Sequence, residues 1–474
     1  MLRTRFAPSP TGELHIGGAR SAFFVYLFAK SQGGEFLLRI DDTDRERFVE
    51  GSPERIIKSL KWLGIAPDNA ENVVFQSSRV DLYKRYAFEL VEKGHAYICT
   101  CGKEELEREK AEAALKHLPP MYGGRCRELG IKPEDVKGKE YVIRMKMPKN
   151  GTIKFHDLIR GDIEFDSSLV DDQVLLKSDG FPTYHLATVV DDHEMGITHV
   201  LRAEEWLPST PKHLVLFGMF GWAPPEFAHL PQVLAPDRSK LSKRHGATSV
   251  IDYKNLGYLP EAILNFLVLL GWHPKDDREI FSRDDLIKEF DLSRLQKGGA
   301  IFDIQKLNWL NKKYISEILP AEELAKRGQT FVPAEWKLTP SIINAVKTRL
   351  EKLSDLESAV RLFFVSPEYP AELLTPPSRH SREGENPDIS GDIIKSHLKE
   401  LVSVASNIGE NNFSKESLES EIFTIVPSDK KGEWLWPLRV ALSGSKESPS
   451  PFEIMEGLGK EESLKRIKAA AEKI

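Results

Sequence analysis

Segment 2–63 constrains the fold most, because strand and helix signals alternate through it twice. Residues 2–6 predict a short strand, and Pro8–Gly12 predicts a stiff loop. Ala19–Ser31 predicts a helix with Phe23, Phe24, Leu27 and Phe28 on one apolar face. Gly33-Gly34 ends it. Phe36-Leu37-Leu38-Arg39-Ile40 reads as a second strand, buried by its composition. Ser52-Pro53-Glu54 then opens another helix with an N-cap, an N1 proline and an early acid in order. Ile56, Ile57, Leu60 and Leu63 share its inner face. This order is the opening of a doubly wound α/β domain.

The pattern changes between about 95 and 185. That stretch holds all three cysteines, the strand Tyr141-Val142-Ile143-Arg144-Met145 and alternating strands around Ile153 and Ile163. It reads as an α+β insertion between two halves of a nucleotide fold. The α/β pattern resumes with Tyr184–Asp192 and Ile197–Arg202. From about 320 the chain turns helical. Pro376–Ser390 is poor in apolar residues and rich in Ser, Arg, Glu and Pro. It cannot bury enough surface to offset its ordering entropy, so a mobile insertion is expected there.

A chain of 474 residues accommodates two to four domains. Its formal charge of -6 carries no chain-wide basic signature, so any nucleic-acid contact must rest on local positive charge. Three cysteines argue against a disulfide scaffold and fit a reducing cytosol. No signal peptide is read at the N-terminus. The most apolar run, Ala262–Trp272, is far shorter than the roughly 20 residues of a membrane helix and reads as a buried helix. A cytoplasmic protein without membrane contact is expected.

Two distant stretches look built for phosphates. In Pro8-Ser9-Pro10-Thr11-Gly12-Glu13-Leu14-His15-Ile16-Gly17-Gly18 the chain enters a helix N-terminus, where free N–H groups and the dipole attract anions. Gly17 and Gly18 let a base or phosphate approach the backbone. His15 can donate to a phosphoryl oxygen as charge builds. Alone, the stretch equally fits a Pro/Gly-rich turn with a surface histidine. The second, Pro236–Gly246, puts Arg238, Lys240, Lys243 and Arg244 beside Ser239 and Ser242. Lysines suit a phosphate that changes geometry during reaction. Alone, this stretch also fits a solvated basic loop or a plain nucleic-acid contact.

Together, in this order, the two stretches resemble the signatures of class I aminoacyl-tRNA synthetases, "HIGH" with Gly18 for the last histidine, and "KMSKS" at Lys240-Leu241-Ser242-Lys243-Arg244. Further strings are similar to bacterial-type glutamyl-tRNA synthetases: Arg5–Gly12, Arg39–Arg45, Ser178–Ala187, Val189–His193, Arg202–Trp206 and Trp436–Gly444. The likeness spans nearly the whole chain and is weakest in about 320–430. It implies a Rossmann-like catalytic domain with an α+β insertion, followed by all-α anticodon-binding domains. The expected boundaries are 1–95 with 185–240 for the catalytic halves and 96–184 for an acceptor-arm-binding insertion. A signature loop and stem-contact region would follow at 241–318, and a helical region at 319–474.

The resemblance also implies chemistry. Glutamate and ATP, with Mg2+, give glutamyl-adenylate and pyrophosphate, and the acyl group passes to the terminal ribose of tRNA-Glu. Family enzymes typically need bound tRNA for the first step. By motif position, His15, Lys240 and Lys243 are catalytic. Gly17, Gly18, Glu205 and Trp206 join them at ATP. Arg5 pairs with the substrate's side-chain carboxylate, with Arg202, Ser9, Tyr184, Asp41 and Thr188 around it. Asp41 would hold the ammonium. Family members often carry Glu in place of Asp41 and Asn in place of Thr188, so contacts to the amino group and α-carboxylate are expected to differ in detail. Asp191, Asp192, His193 and His199 raise a metal site, but no second cluster supports it, and structural roles are expected.

Cys99-x-Cys101 and Cys126-x-Glu128 flank a charged helix, Lys103–Lys116. Some family members bind zinc here through three Cys and a His. Zn2+ on Cys99, Cys101, Cys126 and Glu128 is one reading, with Tyr122 and His117 as alternative fourth ligands, and three plain thiols is the other. Three rival functions remain: a glutaminyl-tRNA synthetase, a non-catalytic RNA-binding paralogue, and a truncated relative that glutamylates a tRNA base. The helical tail argues against the first and third, and intact His15, Lys240 and Lys243 against the second. Charging of tRNA-Gln stays open. A monomer is expected.

Overall fold

The alternation in segment 2–63 folds as a set of parallel crossovers. The computed structural model describes residues 1–115, 121–241, 248–377 and 389–474. It divides into two compact units, residues 1–254 with 260–304, and residues 255–259 with 305–474. Lys243, His117 and most of the 376–390 insertion, all singled out from sequence, lie outside the described residues.

In the first unit the chain runs β1 (Arg3–Phe6), α1 (Ile16–Ser31), β2 (Glu35–Ile40), α2 (Ser52–Trp62), β3 (Val74–Phe75), α3 (Val80–Glu92) and β4 (Ala96–Cys99). Then come α4 (Lys103–Leu115), β5 (Val142–Met145), β6 (Thr152–Asp157), β7 (Gly161–Asp166) and β8 (Val174–Leu176). After these come α5 (Tyr184–Glu194), β9 (His199–Ala203), α6 (Thr210–Phe220) and β10 (Glu226–Leu230). Past the second signature the described elements include α7 (Val250–Asn255) and α8 (Pro260–Leu269), the buried helix expected within Ala262–Trp272.

The main sheet has seven strands in the order β3-β2-β1-β9-β10-β6-β7. All its pairings are parallel except β6 with β7. Strand order reverses between β1 and β9. In such sheets the crevice at the carboxyl ends of the two flanking strands binds ligands. Arg5 lies on β1 and Arg202 on β9, so the topology brings them to one crevice from 197 positions apart.

Helix α1 is longer than its sequence signal. It begins at Ile16 rather than Ala19, because His15 caps it by accepting the Gly17 N–H. Glycine's low helix propensity matters little in a first turn whose N–H groups lack intrahelical partners. Its end follows the reading: Gly33 takes φ 63°, the left-handed conformation a Cβ disfavours. In α2 the N-cap is Gly51, not Ser52. The Ser52 hydroxyl instead accepts the Gly12 N–H at 3.1 Å and donates to the Gly12 carbonyl at 2.5 Å. It clasps the first signature loop.

Stretch 96–184 is divided between two sheets. β4, β5 and β8 form an antiparallel three-stranded sheet. Its Ile98, Ile143, Met145 and Leu175 share one core with Tyr83, Leu90, Leu186, Val190 and Phe217 from α3, α5 and α6. The β6–β7 hairpin instead extends the main sheet, pairing with β10 where Phe227 faces Asp157.

The second unit is helical: α10 (Ile304–Lys313), α11 (Ala321–Gly328), α12 (Pro340–Val346), α13 (Leu356–Phe364), α14 (Gly391–Asn407), α15 (Lys415–Ile422), α16 (Lys431–Ser443), α17 (Pro451–Leu458) and α18 (Lys460–Lys473), with α9 (Arg283–Glu289) belonging to the first unit. Leu310, Ile343, Val346, Leu356, Leu398, Leu438, Ile454 and Ile467 build its core. Among the described residues no helix is long and apolar enough to cross a membrane.

Candidate active site

At the switch point lies a cavity of about 390 Å³, within the range of small-molecule sites. Arg5, Ser9, His15, Gly18, Asp41, Tyr184, Arg202, Glu205 and Trp206 all line it, so most residues singled out from distant motifs converge. Both signatures reach its rim. Ile16 N–H donates to the Thr248 carbonyl at 2.7 Å and Val250 N–H to the Leu14 carbonyl at 2.9 Å. The chain just past the second signature is thereby sewn to the first. At the start of that second signature, Lys240 Nζ pairs with Glu205 at 2.7 Å.

His15 Nδ1 accepts the Gly17 N–H at 3.1 Å, so its ring proton sits on Nε2, as a phosphate donor requires. That bond also consumes the Gly17 N–H, and Gly17 does not line the cavity, whereas Gly18 does. A Cβ on Gly18 would come within 3.3 Å of Leu14 Cδ1. The close-approach role expected of the glycine pair thus falls to Gly18, and Gly17 serves the cap.

The arginines sit in two different settings. Arg5 is 4% exposed and grips Asp192 through Nε at 2.9 Å and Nη2 at 3.4 Å. Arg39, fully buried, bonds Asp41 at 2.6 and 3.2 Å and Asp192 at 2.8 Å. Burial alone would lower the Arg39 pKa, but Asp41, Asp192 and Asp191 together hold it well above the usual value. Burial alone would raise Asp192, yet Arg5 and Arg39 keep it below the usual carboxylate range. Asp191 completes the cluster, accepting from Gln76 at 2.9 Å and Tyr83 at 2.8 Å and pairing with Arg79 at 3.1 Å. Asp191 and Asp192 thus anchor arginines.

Arg202 has no carboxylate within ion-pair distance among the described residues. Its five N–H groups go to neutral acceptors: His229 Nε2 at 3.1 Å, the Tyr184 hydroxyl at 3.0 Å, His213 Nδ1 at 3.3 Å, the Trp206 carbonyl at 3.2 Å and Thr210 Oγ1 at 2.8 Å. An arginine only donates, so it fixes the tautomers around it. His213 must be protonated on Nε2, from which it donates to His185 Nδ1 at 3.2 Å. Burial and the nearby cations push His185 down to about 3 and His213 well below its usual value. Burial likewise lowers Arg202, a cation with only neutral direct partners. Tyr184 lies against Trp206 at a tilt of 37°, with ring centroids 4.3 Å apart.

One residue expected at the substrate lies behind the cavity wall. Thr188 is 1% exposed, does not line the cavity, and has its hydroxyl 3.5 Å from Arg39 Nη2. It supports Arg39 from behind. Sequence reading passed over Arg39, His213, Thr210, His229 and Asp157. Arg39 had left a signal, as a charge inside the apolar strand run Phe36–Ile40. The others had none, since their meaning comes from strands paired across the sheet.

The three thiols form a second cluster. Cys99, Cys101 and Cys126 Sγ atoms lie within 4.8 Å of one another. Glu128 is not the fourth corner. Its carboxylate is 77% exposed and pairs with Lys146 at 3.1 Å and Arg127 at 3.4 Å. The Tyr122 hydroxyl lies beside the thiols, 3.4 Å from Cys99 Sγ and 3.3 Å from Cys101 Sγ. Three soft thiols at these separations fit three corners of a tetrahedral zinc site.

The fold agrees with known proteins. Residues 1–309 match the family described as tRNA synthetases class I (E and Q), catalytic domain, and residues 304–471 match the anticodon binding domain. A glutamate–tRNA ligase 2 from Thermoanaerobacter pseudethanolicus is 43% identical over 484 residues, covering 99% of this chain and 98% of that protein. A glutamate–tRNA ligase from Dehalococcoides mccartyi is 44% identical over 487 residues, covering 99% and 97%. The crystal structure of a glutamate tRNA ligase from Elizabethkingia meningosepticum in complex with its amino acid superposes with a TM-score of 0.82 at 37% identity, covering 99% of both chains. The chain belongs to the class I tRNA synthetase family of glutamate and glutamine enzymes, and the relatives it matches along its full length are glutamate–tRNA ligases.

Proposed function

We propose that this protein is a glutamate–tRNA ligase that joins L-glutamate to the 3′-terminal adenosine of tRNA-Glu. The observation that carries the substrate is Arg202: a buried cation at the cavity wall whose direct partners are all neutral. A carboxylate entering the cavity supplies the missing anion. Arg5 stands on the same wall with Nη1 unused among the described residues and directs a second cation at it. Glutamine offers a neutral amide instead. One charge-assisted hydrogen bond contributes about 1.5–3 kcal/mol, so glutamate is favoured over glutamine by at least about tenfold.

Chemistry in this reading is mostly positioning and charge stabilisation. The α-carboxylate of glutamate attacks the α-phosphorus of ATP, and the bond to the β-phosphate breaks, releasing pyrophosphate. His15 donates from Nε2 to the phosphoryl oxygens. Lys240 and, by motif, Lys243 stabilise the charge that develops on the departing pyrophosphate, which travels with Mg2+. The terminal ribose hydroxyl of tRNA then attacks the acyl carbon, and AMP leaves. Asp41, on the cavity wall, takes the substrate ammonium.

The helical unit supports the tRNA part. It holds a cavity of about 630 Å³ lined by Arg349, Arg361, Ser358, Ser445, Ser448 and others. Arg439 anchors its rim by donating to the Ser448 carbonyl at 2.8 Å. An arginine and hydroxyls in a recess of that size suit an unstacked base. The thiol cluster with Tyr122 would hold zinc as a structural ion that pins β4 to the segment carrying Cys126. Monomeric action in the cytosol completes the reading. The test is aminoacylation with radiolabelled glutamate on purified tRNA-Glu and tRNA-Gln, each with ATP. Charging of neither tRNA overturns the proposal, and the second arm decides whether tRNA-Gln is also a substrate.

A further inference from the structure

Arg202 is held by a relay that starts far from the cavity. We infer that Asp157 and His229 are positioning residues that fix Arg202 for the substrate carboxylate, an inference that rests on the glutamate reading above. The three residues come from adjacent strands of the main sheet. Arg202 on β9 is in register with His229 on β10, and Asp157 ends β6, which pairs with β10. None of the three is more than 7% exposed.

Bond directions follow from the ends. Arg202 Nε–H donates to His229 Nε2 at 3.1 Å, and an arginine cannot accept. Thr210 Oγ1 accepts from Arg202 Nη2 at 2.8 Å, which leaves its proton to point at the same His229 Nε2, 3.2 Å away. Nε2 is therefore unprotonated and the ring proton sits on Nδ1, donated to Asp157 Oδ2 at 2.6 Å. Asp157 is itself pinned. Oδ1 accepts the N–H groups of Ile159 at 3.0 Å and Arg160 at 2.9 Å, and Oδ2 accepts the His229 N–H at 3.1 Å. Backbone thus orients the carboxylate, the carboxylate orients the imidazole, and the imidazole presents a lone pair to the arginine. Asp157 is also the nearest anion in this chain of contacts, one imidazole away.

Asp157→Asn disturbs the relay with little change of shape. The amide oxygen stays with Ile159 and Arg160 N–H, so the amide NH2 faces His229. His229 Nδ1 must then accept, which moves the ring proton to Nε2, against Arg202 Nε–H. Two donors oppose each other and Arg202 shifts, the same wrong-tautomer logic known for buried Asp–His pairs. In ATP–pyrophosphate exchange with tRNA present, the KM for glutamate should rise about tenfold while the KM for ATP stays within about twofold. A second pair guards against misfolding. His229→Gln keeps an acceptor near the Nε2 position and should retain a glutamate KM within about threefold of parent, whereas His229→Leu should lose about tenfold or more. Glutamate-dependent exchange by the parent establishes the substrate reading by itself. Given that, equal rises in both KM values, or equal behaviour of the Gln and Leu variants, would overturn the relay alone. A parent that exchanges without glutamate dependence would overturn both.

Discussion

Asp192 bridges two buried arginines, and removing it should unbalance the catalytic unit more than any single change on the cavity wall. It accepts three hydrogen bonds, two from Arg5 and one from Arg39, with all three side chains no more than 4% exposed. In Asp192→Ala, Arg39 keeps Asp41 at 2.6 Å and has Asp191 at 3.7 Å. Arg5 keeps no carboxylate within ion-pair distance among the described residues. Breaking a buried pair by removing one partner costs about 3–5 kcal/mol, because the remaining charge stays desolvated. For a unit of about 300 residues roughly 1 kcal/mol shifts a melting temperature by about 1.5–2 °C, so the catalytic-unit transition should fall by roughly 5–10 °C. Scanning calorimetry, read on that transition alone because two units need not melt together, gives the number. The glutamate KM should rise in parallel, since Arg5 loses the clamp that aims it. A shift under about 2 °C would refute the claim that Asp192 compensates a buried charge. The double variant Arg5→Met with Asp192→Leu removes both ions and should melt closer to parent than Asp192→Ala does.

Four further outcomes are expected. Arg5→Ala should raise the KM for glutamate far more than that for ATP in pyrophosphate exchange; equal effects would sink its pocket role. Lys243→Ala should abolish adenylate formation while filter-measured tRNA binding persists; normal turnover would refute its assignment. His185, His213 and His229 are neutral in the fold because burial lowers all three. In the unfolded chain they titrate near pH ~6.5 and bind protons that the folded protein refuses. Stability should therefore fall as pH drops below about 6.5, by up to ~1.4 kcal/mol per pH unit for each histidine. Depressed carboxylates such as Asp192 act only in more acid solution, so flat urea-unfolding stability from pH 7 to 5 would contradict the neutral-histidine reading. If zinc occupies the thiol cluster, metal analysis should find one ion per chain, and Tyr122→Phe should weaken its retention against a chelator while Glu128→Ala should not.

The fold was legible where local chemistry and tertiary context agree. Segment 2–63 announced β1, α1, β2 and α2, because strands covered on both faces must be apolar and helices between them amphipathic. The hairpin β6–β7 was legible as strands but not as part of the main sheet. A single bridge from Asp157 to Phe227 sets that membership, and nothing in the flanking sequence encodes its partner. The cavity was half legible. Residues expected to touch substrate or phosphate sit in loops and strand ends whose strings carry family signatures, and most of those within the described residues line one cavity. The residues that hold them in place, Asp192 beneath Arg5 and His229 beneath Arg202, were hidden or given another reading. A buried histidine in Glu226–Leu230 looks like any strand residue until the register puts it opposite an arginine.

Arg39 resolves the two departures that the sequence raised at positions 41 and 188. An aspartate at 41 is one methylene shorter than glutamate, which taken alone suggests a weaker grip on the substrate ammonium. In the fold, both Asp41 oxygens bond Arg39, and Asp41 still lines the cavity. A carboxylate has about four acceptor sites, so two remain for the ammonium, and the guanidinium behind fixes where they point. Thr188 is buried against the same guanidinium, with its hydroxyl 3.5 Å from Arg39 Nη2. Both substitutions therefore act on one buried cation. Lengthening Asp41 to Glu without refitting position 188 would push the carboxylate off Arg39 or further into the cavity. The glutamate KM of Asp41→Glu should accordingly be worse than parent and should recover when Thr188 is changed to Asn with it. Additive effects of the two changes would show that Arg39 does not couple them.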